Sequence, residues 1–173
     1  MDRQSLWAVM GLCLAVSTAE AQDARPPDPA DAVEMIELML GRVPSRHDTP
    51  LAAMHGLADL YGRSHEQAQS GSAGLWLLLG DIALRSVDAG LTQSYAADVL
   101  PLYREQPDTI LSVLSDAPWL ATSTCHHLSA YFGSEDRPED DRAPFVEAEA
   151  SRITKALPEP VAAACLDTLS TPQ

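Results

Sequence analysis

The stretch Ser72–Asp88, SAGLWLLLGDIALRSVD, decides the fold of this 173-residue chain. When it is drawn as a helix, apolar side chains cover nearly its whole circumference, namely Leu75, Trp76, Leu77, Leu78, Leu79, Ile82, Ala83, Leu84 and Val87. A helix that is apolar all round must be buried. Its unbroken apolar run is much shorter than the roughly 20 residues that cross a bilayer, and Asp81 and Arg85 follow directly. The stretch therefore predicts the central helix of a soluble domain.

Two helices are predicted before this central helix, because a capping residue followed by proline begins each of them. Asp28-Pro29 begins the first, and Thr49-Pro50 begins a second that ends at Gly62. The apolar positions of the first helix recur at helical spacing and predict its buried face. These positions are Val33, Ile36, Met39 and Leu40, whereas Glu34 and Glu37 are assigned to the polar face. The polar segment 64–71 is predicted to be a loop or one exposed turn.

Proline and glycine also divide the chain after the central helix. Helices are predicted from Thr92, from Pro107, over 116–133, from Pro144 and after Pro160, and Pro101 is expected to kink or split the first of these. No segment alternates apolar and polar residues as a strand does. The sequence therefore predicts an all-α fold, an irregular bundle of about seven or eight short helices over 29–173, with a short helical-repeat solenoid as the alternative.

The N-terminus has the pattern of a secretory signal peptide. Arg3 precedes an apolar stretch from Leu6 to Val16, and Ala19-Glu20-Ala21 then supplies small residues around a cleavage site. We expect cleavage after Ala21, which makes residues 1–21 the signal peptide and leaves no membrane anchor. The polar, proline-rich residues 22–28 are expected to be a flexible leader. The predicted location is periplasmic or secreted.

The negative charge of the chain argues against binding to polyanions and anionic surfaces. Cleavage removes Asp2, Glu20 and Arg3, which lowers the acidic residues from 25 to 23 and the basic residues from 11 to 10, so the mature net charge is −13. Nucleic acids and anionic lipid headgroups are bound through lysine and arginine. We therefore expect neither nucleic-acid binding nor stable membrane insertion. A cationic partner is the kind that this charge attracts.

Two cysteines, Cys125 and Cys165, remain after cleavage, because Cys13 lies within the signal peptide. In an oxidising compartment two cysteines most simply form one disulfide. This bond would close a loop of about 40 residues and stabilise the fold by roughly 4 kcal/mol. The cysteine count and the export signal thus agree.

No catalytic or metal-binding motif emerges from the sequence. His126 and His127 follow Cys125, but neighbouring residues on a helix point about 100° apart, and a cysteine in a disulfide cannot bind a metal. His65-Glu66 lacks the second histidine of a zinc-protease motif, and no glycine-rich phosphate loop is present. Carboxylate pairs such as Glu147 and Glu149 are expected to be solvated and to make poor general acids. We therefore predict neither enzymatic activity nor a cofactor.

Two other features offer a surface for binding. The segment 134–142 is rich in carboxylates and contains no apolar residue, and we single out Glu135, Asp136, Glu139, Asp140 and Asp141 as a possible interaction surface. Met35, Met39 and Met54 recur on two neighbouring helices and are candidates to line an adaptable apolar groove. Trp76, Trp119 and Tyr131 are expected to be core or partly buried anchors.

Several short motifs of the C-terminal half, Val99 to Leu169, resemble a family of uncharacterised exported bacterial proteins. They are QPDTILSVL with a cysteine after it, APFVE at Ala143–Glu147, and AACLDTL around Cys165. The resemblance implies a periplasmic or secreted helical domain with one disulfide. It implies no activity.

The sequence favours an exported helical protein-interaction module with a basic partner. An inhibitor, an immunity factor and an assembly accessory are the roles that fit. The alternative is a carrier of a small molecule or lipid, with an apolar cavity between the helices around Leu75–Leu84.

Overall fold

The computed structural model describes residues 29–40, 42, 49–85, 89–132 and 138–172. Over these residues the chain forms eight α-helices, two short 3₁₀ turns and no strand, so the predicted all-α bundle is confirmed. The helices are α1 (Pro29–Met39), α2 (Pro50–Gln69), α3 (Gly74–Arg85), α4 (Ala89–Glu105), α5 (Pro107–Asp116), α6 (Ala121–Ala130), α7 (Arg142–Ala156) and α8 (Glu159–Ser170). The 3₁₀ turns are Pro118–Leu120 and Glu139–Asp141. The predicted signal peptide, its cleavage site at Ala21 and the leader lie outside the described residues.

Helix α3 is the central element, as its apolar circumference predicts. It packs against α1, α2, α4 and α6. Its two faces serve two separate hydrophobic clusters: Trp76 and Leu77 belong to the larger one, and Leu75 and Leu79 to the smaller one. No helix in the part of the chain that the structure describes is long and apolar enough to cross a membrane.

The larger cluster is built mainly by α4 to α8. Its fully buried side chains include Tyr95, Leu100, Ile110, Leu128 and Ile153. Full burial of each such side chain stabilises the fold by about 1.5–3 kcal/mol. Among the side chains that the structure describes, the buried members of the smaller cluster are Met35 of α1, Leu60 of α2, and Leu75 and Leu79 of α3.

Cys125 of α6 and Cys165 of α8 form the predicted disulfide, with their Cα atoms 5.4 Å apart. Both residues are buried within the larger cluster. The bond joins two helices that are 40 residues apart in sequence, and it is compatible with an exported protein.

The predicted orientation of α1 is wrong. Val33, Ile36 and Leu40 are 50%, 53% and 59% exposed, whereas Asp31 and Glu34 are buried. The reason is an ion pair: Arg63 of α2 donates from Nη2 to Asp31 Oδ1 over 3.1 Å, so the carboxylate side of α1 faces inward. Hydrogen bonds between two charged groups are strong when the pair is partly shielded from water. The bond between Arg63 and Asp31 therefore fixes the rotation of α1 about its own axis.

Helix α2 continues for seven residues beyond the predicted end at Gly62. Residues 64–69, predicted to be a loop, complete the helix, and the turn follows at Ser70-Gly71. Ser64 and Ala68, four residues apart on one face, are both buried. Tertiary burial of small side chains therefore outweighs the weak helix propensity of glycine.

Three further expectations about local structure need correction. Pro101 does not split α4, because the buried residues Leu100, Leu102 and Tyr103 hold the helix on both sides of it. Trp119 is 51% exposed, because it lies in the 3₁₀ turn that precedes α6 and not within a helix. Residues 139–141, predicted to be loop, form a 3₁₀ turn leading into α7.

Candidate interaction surface

The predicted acidic surface is described only in part. Glu135 and Asp136 lie outside the described residues. Glu139, Asp140 and Asp141 form the 3₁₀ turn before α7, and all three are exposed. We call these three residues the acidic turn. The structure thus places the three described residues of the predicted five together on the surface.

Arg142, which follows the acidic turn in sequence, holds it against the interior of the bundle. Its side chain is buried and forms a two-pronged ion pair with Glu139, one prong being Nη2 to Oε2 over 3.0 Å. Its Nη1 donates to the backbone carbonyl of Leu169 over 3.1 Å and to that of Thr171 over 3.2 Å. These bonds to Arg142 hold the pKa of Glu139 below its ordinary value. Asp140 and Asp141 are left as the outward charges of the turn.

The second surface feature is an apolar stripe formed by Val33 and Ile36 of α1 and by Leu40, which directly follows the helix and donates its backbone N–H to the Ile36 carbonyl over 3.1 Å. Their spacing of three and then four residues places them on one side of the helix. The same spacing forms the seam of a helix pair. Large apolar residues exposed one at a time are ordinary, but a contiguous row of them marks an interaction surface.

The opposite face of α1 explains why the apolar stripe cannot turn inward. Asp31 also lies 3.5 Å from the amide Nε2 of Gln67, one turn beyond Arg63 on α2. Met35 is fully buried on the same face. Rotation of α1 to cover the apolar stripe would break the ion pair with Arg63 and expose Met35. One sequence pattern indicates this arrangement. Arg63 and Gln67 lie four residues apart on one side of α2, so both can donate hydrogen bonds to a single carboxylate on α1.

A groove between α5 and α7 is the third feature, with a volume of about 620 Å³. It is lined by Asp108, Leu111, Ser112, Ser115, Asp116, Ala148, Ser151, Arg152, Lys155 and Ala156. Tyr103 donates to Glu149 over 2.8 Å, and Glu149 accepts from Arg152 Nη1 over 2.9 Å. Burial and this hydrogen bond raise the pKa of Tyr103, and the bond to Glu149 raises the pKa of Arg152. Glu149 is therefore an anchor for Arg152 and not the solvated carboxylate that the sequence predicts.

Three histidines were considered as metal ligands or catalytic residues. His127 is buried, and His65 and His126 are partly buried. His127 is fully buried between Tyr95, at a ring separation of 4.6 Å, and the backbone of Gly80. Its Nε2 lies 2.9 Å from the Gly80 carbonyl oxygen. Because a carbonyl only accepts, Nε2 carries the proton and Nδ1 is the bare nitrogen. Burial lowers the pKa of His127, so the ring is neutral at neutral pH.

Gly80 makes this interior arrangement possible. A side-chain Cβ at this position would overlap the ring of Tyr95. The ring of Trp76 lies 4.2 Å from Tyr95 on the other side. The cluster is closed to solvent, so it positions helices and offers no route for a substrate. Among the described residues, no group of three or more His, Cys, Asp or Glu side chains is placed to hold a metal ion.

Comparison of the chain with family models, curated proteins and solved structures found no match. The geometry of the surface features is therefore the basis for assigning a function.

Proposed function

We propose that this protein is an exported, periplasmic helical interaction module that binds a cationic protein through the apolar stripe of α1. One observation carries the proposal: Val33, Ile36 and Leu40 are each at least half exposed on one side of a helix whose other side is held inward. The ordinary function of such a row is to pack against another protein. Export is supported by the signal-like N-terminus and by the disulfide.

The stripe alone is too small for a stable complex. Three half-exposed side chains supply only a few hundred Å² at most, whereas a stable interface buries about 800 Å² on each partner. The partner must therefore also contact the surface around the stripe. Glu37 lies on the flank of α1, and Arg42 follows the helix end. Glu37 and the mature charge of −13 favour a partner that carries lysine and arginine around an apolar centre.

The roles that suit such a module are an inhibitor, an immunity factor or an assembly accessory of a basic protein. In each of these roles the apolar stripe provides most of the binding affinity, and the acidic surface raises the rate of association with a basic partner. The carrier alternative needs an apolar cavity around Leu75–Leu84. The apolar side chains from Leu75 to Leu79, together with Ile82, pack into the two hydrophobic clusters, and no observation favours the carrier.

Site-specific photo-crosslinking in the native host tests the proposal. A benzophenone side chain replaces Ile36 in one variant and Thr154 in another, since Thr154 is an exposed polar residue of α7. We expect a defined adduct from position 36 that is absent from position 154, and we expect mass spectrometry to identify a basic protein in it.

A second variant pair separates binding from folding. Ile36→Ser removes apolar area from an exposed position and should change the free energy of unfolding by about 0.5 kcal/mol or less. It should nevertheless weaken the complex at least tenfold, whereas Thr154→Ala should leave the complex unchanged. Equal adducts from positions 36 and 154, or full binding by Ile36→Ser, would contradict the proposal.

A further inference from the structure

The groove between α5 and α7 has a lining that differs from the rest of this acidic surface. Asp108 and Asp116 lie on α5, and Arg152 and Lys155 lie on α7, so two negative charges are balanced by two positive ones. Three serines, Ser112, Ser115 and Ser151, complete the polar lining. Lys155 is the single lysine of the 173-residue chain.

Arg152 is held in place before any ligand arrives. Tyr103, which is buried, orients Glu149, and Glu149 in turn accepts from Arg152 Nη1. The Nε of the same guanidinium lies 3.6 Å from Asp108 at the edge of the groove. An arginine fixed along one edge presents its remaining donors in a defined direction, which is the arrangement that binds a carboxylate.

Lys155 and Asp116 are the charges of the groove that remain available. Within the described part of the chain, neither of them forms an ion pair. The lining therefore offers a positive site on α7 at Lys155, beside the paired guanidinium of Arg152, and a negative site on α5 at Asp116. The hydroxyl groups of Ser112 and Ser115 lie on the α5 side and can both donate and accept hydrogen bonds.

The polarity and charge of the groove lining favour some classes of ligand over others. A lipid finds too little apolar surface, because Leu111, Ala148 and Ala156 are the apolar residues of the groove. A polyphosphate meets two aspartates and the negative field of the whole chain. A volume of about 620 Å³ lies within the range of ligand sites, roughly 300–1,000 Å³. A short peptide with free ends matches both charges, and its amide groups match the serines.

We propose that the α5–α7 groove binds a short zwitterionic peptide, with the terminal carboxylate at Lys155 and Arg152 and the terminal ammonium at Asp116. This site is separate from the apolar stripe of α1, and it stands or falls independently of the proposed function.

The single lysine supplies the test. Reductive methylation with ¹³C-formaldehyde labels Lys155 and keeps its positive charge, and the α-amine is distinguished by its titration. Trialanine is the probe, and its two capped forms, N-acetyl-trialanine and trialanine amide, are the matched controls. The ¹³C signal of Lys155 is followed by NMR in the full mature protein during titration with each peptide.

We expect a saturable shift of the Lys155 signal with trialanine. Each cap removes one charge pair at a partly exposed site, so each capped form should bind about fivefold more weakly. Asp116→Asn should weaken trialanine about fivefold as well, whereas Asp140→Asn on the acidic turn should have no effect. Urea unfolding checks that both variants keep the stability of the parent protein, as surface substitutions do.

Three results would overturn the proposal. The first is a Lys155 signal that does not shift with trialanine at millimolar concentration. The second is equal binding of trialanine and both capped forms, which would show that the charged ends are not recognised. The third is trialanine binding by Asp116→Asn that matches the parent protein, which would remove the assigned ammonium site.

Discussion

The two ends of the bundle are held by different means. At the C-terminal end, α6 and α8 are joined by the disulfide, and buried Arg142 ties the start of α7 to the end of α8. At the N-terminal end, the contacts that hold α1 include the half-exposed ion pair of Arg63 with Asp31, the bond from Gln67 to the same carboxylate, and the smaller hydrophobic cluster. The end that carries the apolar stripe is thus the end away from the disulfide. The covalent restraint and the exposed apolar row therefore lie at opposite ends of the bundle.

The largest effect should follow from loss of the disulfide. Cys125→Ala together with Cys165→Ala should lower the free energy of unfolding by about 4 kcal/mol, because a loop of about 40 residues is no longer closed in the unfolded chain. Urea unfolding measures this loss. Hydrogen exchange should accelerate in α6 and α8 and remain as fast as before in α1. An unchanged urea midpoint would show that the C-terminal end does not depend on the bond.

A smaller loss is expected at the second restraint of the same end. Arg142→Met keeps much of the packing against Phe132 but removes the bonds to Glu139, Leu169 and Thr171, and should cost about 3 kcal/mol. The matched control is Arg152→Met, which changes a half-exposed arginine and should cost about 1 kcal/mol or less. Thermal unfolding of the two variants compares them. Equal losses would refute the role of burial at Arg142.

At the N-terminal end, Asp31→Asn should cost about 1.5 kcal/mol, because the amide cannot form the ion pair with Arg63. We expect a local effect: hydrogen exchange in α1 should accelerate while α6 and α8 stay protected. Asp59→Asn, at an exposed position of α2, is the control and should leave exchange unchanged. Equal acceleration in α6 and α1 would mean that the two ends unfold together, which would break the comparison.

The smallest effect concerns pH and lies between the two ends, at His127. Burial places its folded-state pKa below the unfolded value of about 6.5. Below pH 6.5 the unfolded chain therefore binds more protons than the folded one, and stability is lost as pH falls from 6.5 through the folded-state pKa. The slope from this group is at most about 1.4 kcal/mol per pH unit.

Urea unfolding at pH 7 and pH 5.5 measures this dependence. His127→Gln keeps a donor for the Gly80 carbonyl and should reduce the difference in stability between the two pH values. His126→Gln, at the neighbouring and less buried histidine, should change the difference less than His127→Gln does, because the charge of His126 is a smaller cause of the lowered pKa of His127 than burial. Asp81 acts in the opposite direction to His126 and raises the pKa of His127, and it is itself paired with Arg85 over 2.8 Å. An unaltered difference in His127→Gln would exclude His127 as the titrating group.

The sequence alone predicts an element correctly where a single physical interaction determines its structure. The nearly unbroken apolar circumference of α3 requires burial, and the two cysteines that follow the predicted cleavage site allow one pairing. It was misleading where two terms compete. In α1 an apolar face and a carboxylate face have the same helical spacing, and the choice between them depends on Arg63, which lies more than 30 residues away.

The candidate surfaces follow the same rule. The acidic turn could be predicted because a run of carboxylates without apolar residues has nothing to bury. The apolar stripe of α1 was assigned to the core, since hydrophobic spacing alone cannot show which face finds a partner. The α5–α7 groove could not be predicted, because its two walls come from helices that are far apart in sequence.

The different exposure of two tryptophans has a practical consequence. Trp76 is fully buried beside Tyr95, whereas Trp119 is 51% exposed in its 3₁₀ turn. Their fluorescence should therefore be separable, since a buried indole emits at shorter wavelength and is shielded from acrylamide. In protein produced without residues 1–21, which contain the third tryptophan, Trp7, Trp119→Phe leaves Trp76 as the reporter of the hydrophobic core, and Trp76→Phe leaves Trp119 as a reporter of the surface beside α6. These two tryptophans thus serve as optical probes, one for folding and one for contact with other molecules.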